Sequence, residues 1–265
     1  MQSKITKITA QKRKGRFNIF IDDHYAFPVS ENVLIQFQLV KDMEIDEQLE
    51  KQLLAAEQID KIYQKAINYI ASQLRTEKEV TTKLETETDD SDIIGVVIQK
   101  LHDNHLLDDQ SYANSYVRSE VRIMDKGPVA ITQHLKQKGV GDVEIQTALA
   151  DYYAQDDRLA NGLHQAQKMF KRYRNDSFSQ VVNKVKNGLA RKGYAFDLIN
   201  TIIEQADFHV DEQAQRQVLK KQFDKAWHRY RELDNRNRQF KTKQFLYRKG
   251  FQIDDIERLI NEQSF

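Results

Sequence analysis

Four pairs of adjacent aspartates, Asp89-Asp90, Asp108-Asp109, Asp156-Asp157 and Asp254-Asp255, are the first candidates for chemistry in this sequence. Paired carboxylates can hold a divalent metal and activate water, as a metal-dependent nuclease requires. Several of these pairs, however, stand where a helix should start. There a carboxylate caps unpaired backbone N–H groups and complements the helix dipole, so these pairs are expected to be caps. His102 and His105 offer two imidazoles near Asp108, but the chain has no cysteine to complete a structural zinc site, and an exposed helix end accounts for both. Gly188-Leu189-Ala190-Arg191-Lys192-Gly193 has the outline of a phosphate loop. Tyr194 and Ala195 then follow where Lys-Ser/Thr is needed, and the context is a helix end, not a strand entering a helix. With no convergent nucleophile, base or metal set, the sequence predicts no catalytic residue, no metal site, no cofactor, no small-molecule substrate and no enzyme activity.

Basic side chains carry more promise. The net charge is only +1, yet from Arg158 onward 22 Lys and Arg face 13 Asp and Glu, a net of +9 that leaves −8 for the rest. A chain polarised in this way points its basic end toward something acidic, nucleic acid included. Lys168, Lys171, Arg172 and Arg174 end one helical segment; Lys220, Lys221, Lys225 and Arg229 run along another; Arg236, Arg238, Lys241 and Lys243 start the next. Three- and four-residue spacing puts Lys168 with Arg172, and Lys221 with Lys225 and Arg229, on single helix faces. Arg118 and Arg122 share a face near Tyr116, and Lys12-Arg13-Lys14-Gly15-Arg16 reads as a basic hairpin tip. Such stripes could neutralise phosphates; each is also compatible with an ordinary solvated surface.

The elements that must position these groups fall into two kinds. Residues 1–45 read as a small β-rich module: Lys4 to Thr9 alternates, Arg16 to Ile21 is β-rich after a Lys14-Gly15 turn, Asp22-Asp23 interrupts, and Tyr25 to Phe27 resumes. Ser30 can cap a short helix through Phe37. From Asp46 onward the spacing predicts helices only. Leu159, Leu163, Ala166, Phe170 and Tyr173 form one apolar stripe, and Phe223, Ala226, Trp227, Tyr230 and Leu233 another.

An internal repeat organises the helices. Leu135 to Val140, with Lys138-Gly139, recurs as Leu189 to Tyr194, with Lys192-Gly193, and as Leu246 to Phe251, with Lys249-Gly250. The glycines are 54 and 57 residues apart, with Ile145, Ile199 and Ile256 six residues after each and Leu149, Ile203 and Ile260 ten after. Thr88 sits in the same frame, flanked by Leu84, Ile94 and Ile98. Each Lys-Gly reads as a helix C-cap, with glycine supplying the left-handed conformation. The chain is therefore predicted to be mainly α, with about four tandem three-helix repeats in an elongated or curved array behind the β-module. The segments are 46–106 (degenerate), 107–154, 155–208 and 209–265.

The bulk numbers agree with an ordered chain. Charged residues at 31% beside 40% apolar ones leave enough hydrophobic material to offset chain entropy. No apolar leader opens the sequence, no run reaches the roughly 20 residues that span a bilayer, and cysteine is absent. These features predict a cytoplasmic protein with no membrane partner.

Leu107-Asp108-Asp109-Gln110-Ser111-Tyr112-Ala113, then Tyr116-Val117, Gly127, Ile131, Leu135 and Lys138-Gly139-Val140, resembles the central signature of the RecX regulators. Upstream, Leu74-Arg75-Thr76, Glu79-Val80 and Lys83-Leu84 resemble a second element of that family, and the likeness is clearest from Ile62 to Gln205. The β-module and fourth repeat resemble extensions of longer members. Glu85-Thr86-Glu87-Thr88 departs from the pattern, where Lys-Gly is often found. The resemblance implies a modulator that binds the RecA recombinase filament on single-stranded DNA and inhibits strand exchange, ATP hydrolysis and coprotease activity, in DNA repair, homologous recombination and the SOS response. With the basic stripes, the candidate contacts to RecA or DNA are Arg75, Arg118, Arg122, Lys168, Lys171, Arg172, Arg191, Lys192, Lys221, Lys225 and Arg229. The residues alone leave open a direct nucleic-acid binder with helix-turn-helix-like units, or a scaffold for an acidic protein.

Overall fold

The computed structural model describes residues 3–209 and 211–263. Four antiparallel strands, β1 (Ser3–Ala10), β2 (Arg16–Ile21), β3 (His24–Ser30) and β4 (Glu44–Ile45), form a sheet in the order β3-β2-β1-β4. Gly15 at φ +71° turns β1 into β2, and Asp22 and Asp23 at φ +48° and +67° supply the left-handed pair of a two-residue hairpin turn. Ser30 caps α1 (Glu31–Gln36), accepting from the Val33 N–H. The strand β4 is not legible in the sequence, because two residues carry no periodicity. Ile5, Ile19, Phe27, Val29 and Val33 bury against Leu53 of α2 (Glu47–Ile70).

Among the described residues twelve helices follow α1 as four consecutive triplets. The first is α2, α3 (Glu77–Glu85) and α4 (Ser91–Asp103); the second α5 (Asp109–Ile123), α6 (Pro128–Gln137) and α7 (Asp142–Tyr152). The third is α8 (Gln155–Arg172), α9 (Phe178–Arg191) and α10 (Phe196–Gln205); the fourth α11 (Glu212–Arg229), α12 (Asn235–Arg248) and α13 (Ile253–Gln263). The predicted repeat frame is the core frame: Leu84, Leu135, Leu189 and Leu246 are all fully buried. Ile94, Ile145, Ile199 and Ile256 are buried too. Of the two apolar stripes, Leu233 alone faces solvent, because α11 ends at Arg229 before reaching it.

Two compact units divide the chain, residues 1–112 with 138–141 and residues 113–137 with 142–265. Within each, the Lys-Gly ends do more than stop a helix. In the first unit, the Thr76 hydroxyl at the start of α3 donates to the Lys138 carbonyl at 2.7 Å, and Lys138 Nζ pairs with Glu79 at 2.6 Å. In the second, Gly127 N–H before α6 donates to the Lys192 carbonyl at 2.7 Å and Val129 N–H to the Gly193 carbonyl at 3.0 Å, while Lys192 pairs with Asp125. Ser177, the N-cap of α9, donates to the Lys249 carbonyl. So the carbonyl of each Lys-Gly lysine receives a donor from the start of an earlier triplet's middle helix. Orphan groups from two helix ends satisfy each other. Gly139, Gly193 and Gly250 hold φ between +80° and +89°, and a Cβ on Gly193 would stand 2.3 Å from Ala130 N.

This pairing explains the departure at Glu85-Thr86-Glu87-Thr88. The end of α3 has no earlier triplet to seat against, so no Lys-Gly is required. Thr88 N–H closes back on the Leu84 carbonyl at 3.0 Å. Glu87 accepts from Lys65 and Lys83, and those bonds hold its carboxyl at about 2, below the usual 4.5. A depressed carboxyl pKa stabilises the fold fully above its unfolded value and loses that contribution as pH falls through the folded one. The melting temperature of the parent chain should therefore fall more steeply between pH 4.5 and 2 than that of Glu87→Gln, which lacks the charge. Parallel melting curves across that window would show that the two lysines contribute nothing to stability.

The aspartate pairs divide between two capping roles. Asp90 accepts from the N–H groups of Asp92 and Ile93, and Asp108 from that of Gln110. Asp109 reaches a different helix and accepts from Glu77 N–H at 2.9 Å. Asp156-Asp157 and Asp254-Asp255 lie in the first turns of α8 and α13, where they complement the dipole; the N-cap of α8 is Ala154, with no side-chain cap. His102 bonds Glu77 at 2.8 Å.

Candidate functional site

The third triplet gathers several predicted cations into one place. Its apolar stripe packs Ala166 and Met169 of α8 against Val185 and Leu189 of α9. Beside this packing the two helices leave a groove of about 290 Å³ lined by Lys168, Arg172, Arg191 and Lys192, with Gln165, Met169, Tyr173 and Gly188. Residues four apart on α8 put Lys168 and Arg172 on one wall, and the end of α9 supplies the other. Gly188 allows the close helix approach: a Cβ there would lie 2.3 Å from Met169 Sδ.

The four cations are not equivalent. Lys192 is paired with Asp125, whose carboxyl is held below the usual range first by the Lys192 hydrogen bond and then by the nearby lysine charges. Its ammonium also approaches the Asp125 carbonyl at 3.4 Å. Lys192, a candidate contact, is thus engaged within the fold by an ion pair that leaves both side chains partly exposed. Among the described residues, Lys168 and Arg191 have no carboxylate in ion-pair range, and the Arg172 guanidinium lies 5.8 Å from the Tyr173 ring centre. All three are exposed. A groove with three exposed cations outside any ion pair, Lys168 among them lying within the field of Asp125, suits a bound anion in water-filled contact, phosphate included.

The other candidates lie elsewhere. Lys171 is exposed on α8 outside the groove lining. Arg75, in the first unit, is largely covered: its guanidinium sits 4.3 Å from the Tyr69 ring centre and 3.8 Å from Glu79. Arg118 lies 5.2 Å from the Tyr152 ring centre, while Arg122 is exposed. Tyr116 does not join them, because it accepts from Lys126 at 2.7 Å and stacks on His134. Lys221, Lys225 and Arg229 form an exposed stripe on α11, opposite buried Leu219, Phe223 and Ala226. Of the cations at the start of α12, Arg238 packs on Trp227 and donates to its carbonyl, and Lys243 pairs with Glu257.

Two side chains near the groove escaped sequence reasoning. Asn161 and Gln165 are buried, and their amides donate to the Val121 and Met124 carbonyls at the end of α5, at 3.3 and 2.5 Å. The signal was available: two amides four residues apart, inside an apolar stripe, need partners when buried.

Among the described residues no helix is long and apolar enough to cross a membrane. Residues 3–46 match the family model described as the regulatory protein RecX N-terminal domain, and residues 108–149 match the RecX second three-helix domain. The RecX third three-helix domain matches twice, at 155–203 and 213–260, so the third and fourth triplets are variants of one unit. A regulatory protein RecX of Levilactobacillus brevis is 45% identical over 96% of this chain and 95% of its own length. One from Limosilactobacillus reuteri is 39% identical over 99% of both, and one from Bacillus subtilis 32% over 98% and 99%. A crystal structure of a regulatory protein RecX, 39% identical, superimposes with a TM-score of 0.70, covering 77% of this chain and all of its own. The RecX of Lactobacillus salivarius, 40% identical, gives 0.55 over 58% of this chain. The likeness thus extends well beyond Ile62 to Gln205, into the β-module and the fourth triplet.

Proposed function

The chain belongs to the RecX family of regulatory proteins, and from that premise we propose that it binds the RecA filament on single-stranded DNA and inhibits its recombinase, ATPase and coprotease activities. The observation that carries the reading is the groove of the third triplet, where Lys168, Arg172 and Arg191 converge, exposed and outside any ion pair. Its action is binding. Weak local contacts distributed along tandem units gain strength through effective concentration on a repeating target. The exposed Lys221, Lys225 and Arg229 stripe supplies a further set of such contacts.

The test compares three targets: RecA filaments on single-stranded DNA, RecA alone and the DNA alone. Binding to the filament should be much the tightest and should accompany a fall in ATP hydrolysis. Equal affinity for bare DNA, with no effect on hydrolysis, would replace this reading by a direct nucleic-acid binder. Binding to RecA without DNA, at the filament's affinity, would favour a scaffold for an acidic protein surface.

A further inference from the structure

The N-terminal sheet builds one face into its core and leaves a second with a different chemistry. Ile5, Ile19, Phe27 and Val29 belong to the core. Residues paired across neighbouring strands share a side of the sheet. The register places Lys7 beside Phe20 and Phe20 beside Tyr25 in one row, and Thr9 beside Asn18 and Asn18 beside Pro28 in the next. Asn18 and Phe20 flank buried Ile19 in the strand, so both rows lie on the opposite face. Neither row contains a carboxylate.

Tyr25 is 56% exposed and meets Phe20 edge-on, with ring centres 5.9 Å apart and planes at 78°. Lys7 Nζ stands 5.8 Å from the Phe20 ring centre. Gln11 donates to Asn18 at 2.7 Å and extends the polar row toward the β1–β2 turn. That turn carries Lys12, Arg13 and Lys14, all exposed and, among the described residues, without a carboxylate partner. Arg16 is excluded from the set because Glu57 holds it. At the other end of the hairpin, Asp22 is engaged by the Lys4 N–H.

We propose that this face is a platform for single-stranded nucleic acid, with a base stacked on Tyr25 beside Phe20 and the backbone running past Lys7 toward Lys12, Arg13 and Lys14. Aromatic rings accept any base, and adjacent cations track the phosphates; that combination marks sequence-tolerant single-strand sites. A duplex hides its base faces and has only the cations to meet. The inference goes beyond the recombinase reading and does not depend on it, because it concerns free nucleic acid and the N-terminal module.

The test uses the full chain without RecA. A thymidine oligonucleotide containing 5-iododeoxyuridine is irradiated with it, and the cross-linked peptide is identified by mass spectrometry. The expected cross-link falls on Phe20 or Tyr25. In a companion titration, Tyr25→Ala should bind the single strand roughly 5- to 100-fold more weakly, the loss of one stacked base, in a background carrying Lys168→Glu, Arg172→Glu and Arg191→Glu. Tyr25→Phe should retain affinity, and a duplex of equal length should not distinguish the variants. Cross-links confined to the helical triplets would overturn the proposal, as would unchanged single-strand affinity in Tyr25→Ala or an equal loss on duplex. Circular dichroism of Tyr25→Ala checks that the exposed side chain was not holding the sheet.

Discussion

Gly193→Ala is expected to destabilise the chain by more than about 3 kcal/mol, although it adds a single methyl group. Two costs combine. The residue sits at φ +84°, which a β-carbon penalises by about 1–2 kcal/mol. The new carbon would also stand 2.3 Å from Ala130 N and 2.4 Å from Ala130 Cβ. Neither neighbour can rotate away, because Val129 N–H is bonded to the Gly193 carbonyl and Gly127 N–H to that of Lys192. Relief therefore requires parting α6 from the end of α9. Gly95 provides the control. It lies inside α4, has no atom within 4 Å of a built Cβ and has no positive φ. Gly95→Ala should raise stability by about 0.5–1 kcal/mol through helix propensity. The two alanine variants, measured by denaturant unfolding, should move in opposite directions. A Gly193→Ala protein as stable as its parent would show that the paired helix ends open at little cost.

Reversing the groove should remove regulation while leaving the fold intact. Lys168→Glu, Arg172→Glu and Arg191→Glu change exposed side chains without carboxylate partners, so the melting temperature should stay within a few degrees of the parent. If the groove meets phosphates of a single strand, three lost contacts reduce the slope of log affinity against log salt by about 2. At moderate salt the triple variant should bind filaments at least about tenfold more weakly and inhibit ATP hydrolysis correspondingly less. Lys192→Ala belongs to a separate experiment, since it strands Asp125 and should cost stability. An unchanged salt slope in the triple variant would remove the groove from the site.

Much of the architecture is legible in the sequence. Leucine and isoleucine at fixed offsets, with glycine in three of them, defined four copies, and the same leucines are fully buried in every copy because a middle helix must bury the same face each time. The positive φ of Gly139, Gly193 and Gly250 followed from their place after a basic last turn. Alternation and Gly15 located three of the four strands. The signature around Leu107 to Val140 pointed to the family that the relatives share.

What the one-dimensional pattern determined was local: which residues turn inward, where helices stop, which cations share a helix face. Partnership across the fold was decided only by tertiary structure. The sequence placed Arg191 and Lys192 together as a surface pair, and folding separates their roles, because Asp125, 67 positions away, takes the lysine and leaves the arginine open. Arg75 and Arg238 read as free cations until Tyr69 and Trp227 cover them. A helical period specifies direction from an axis, not what stands there. Whether a cation is spent or available depends on a carboxylate or ring brought from a distant segment, and nothing in local spacing records that distance.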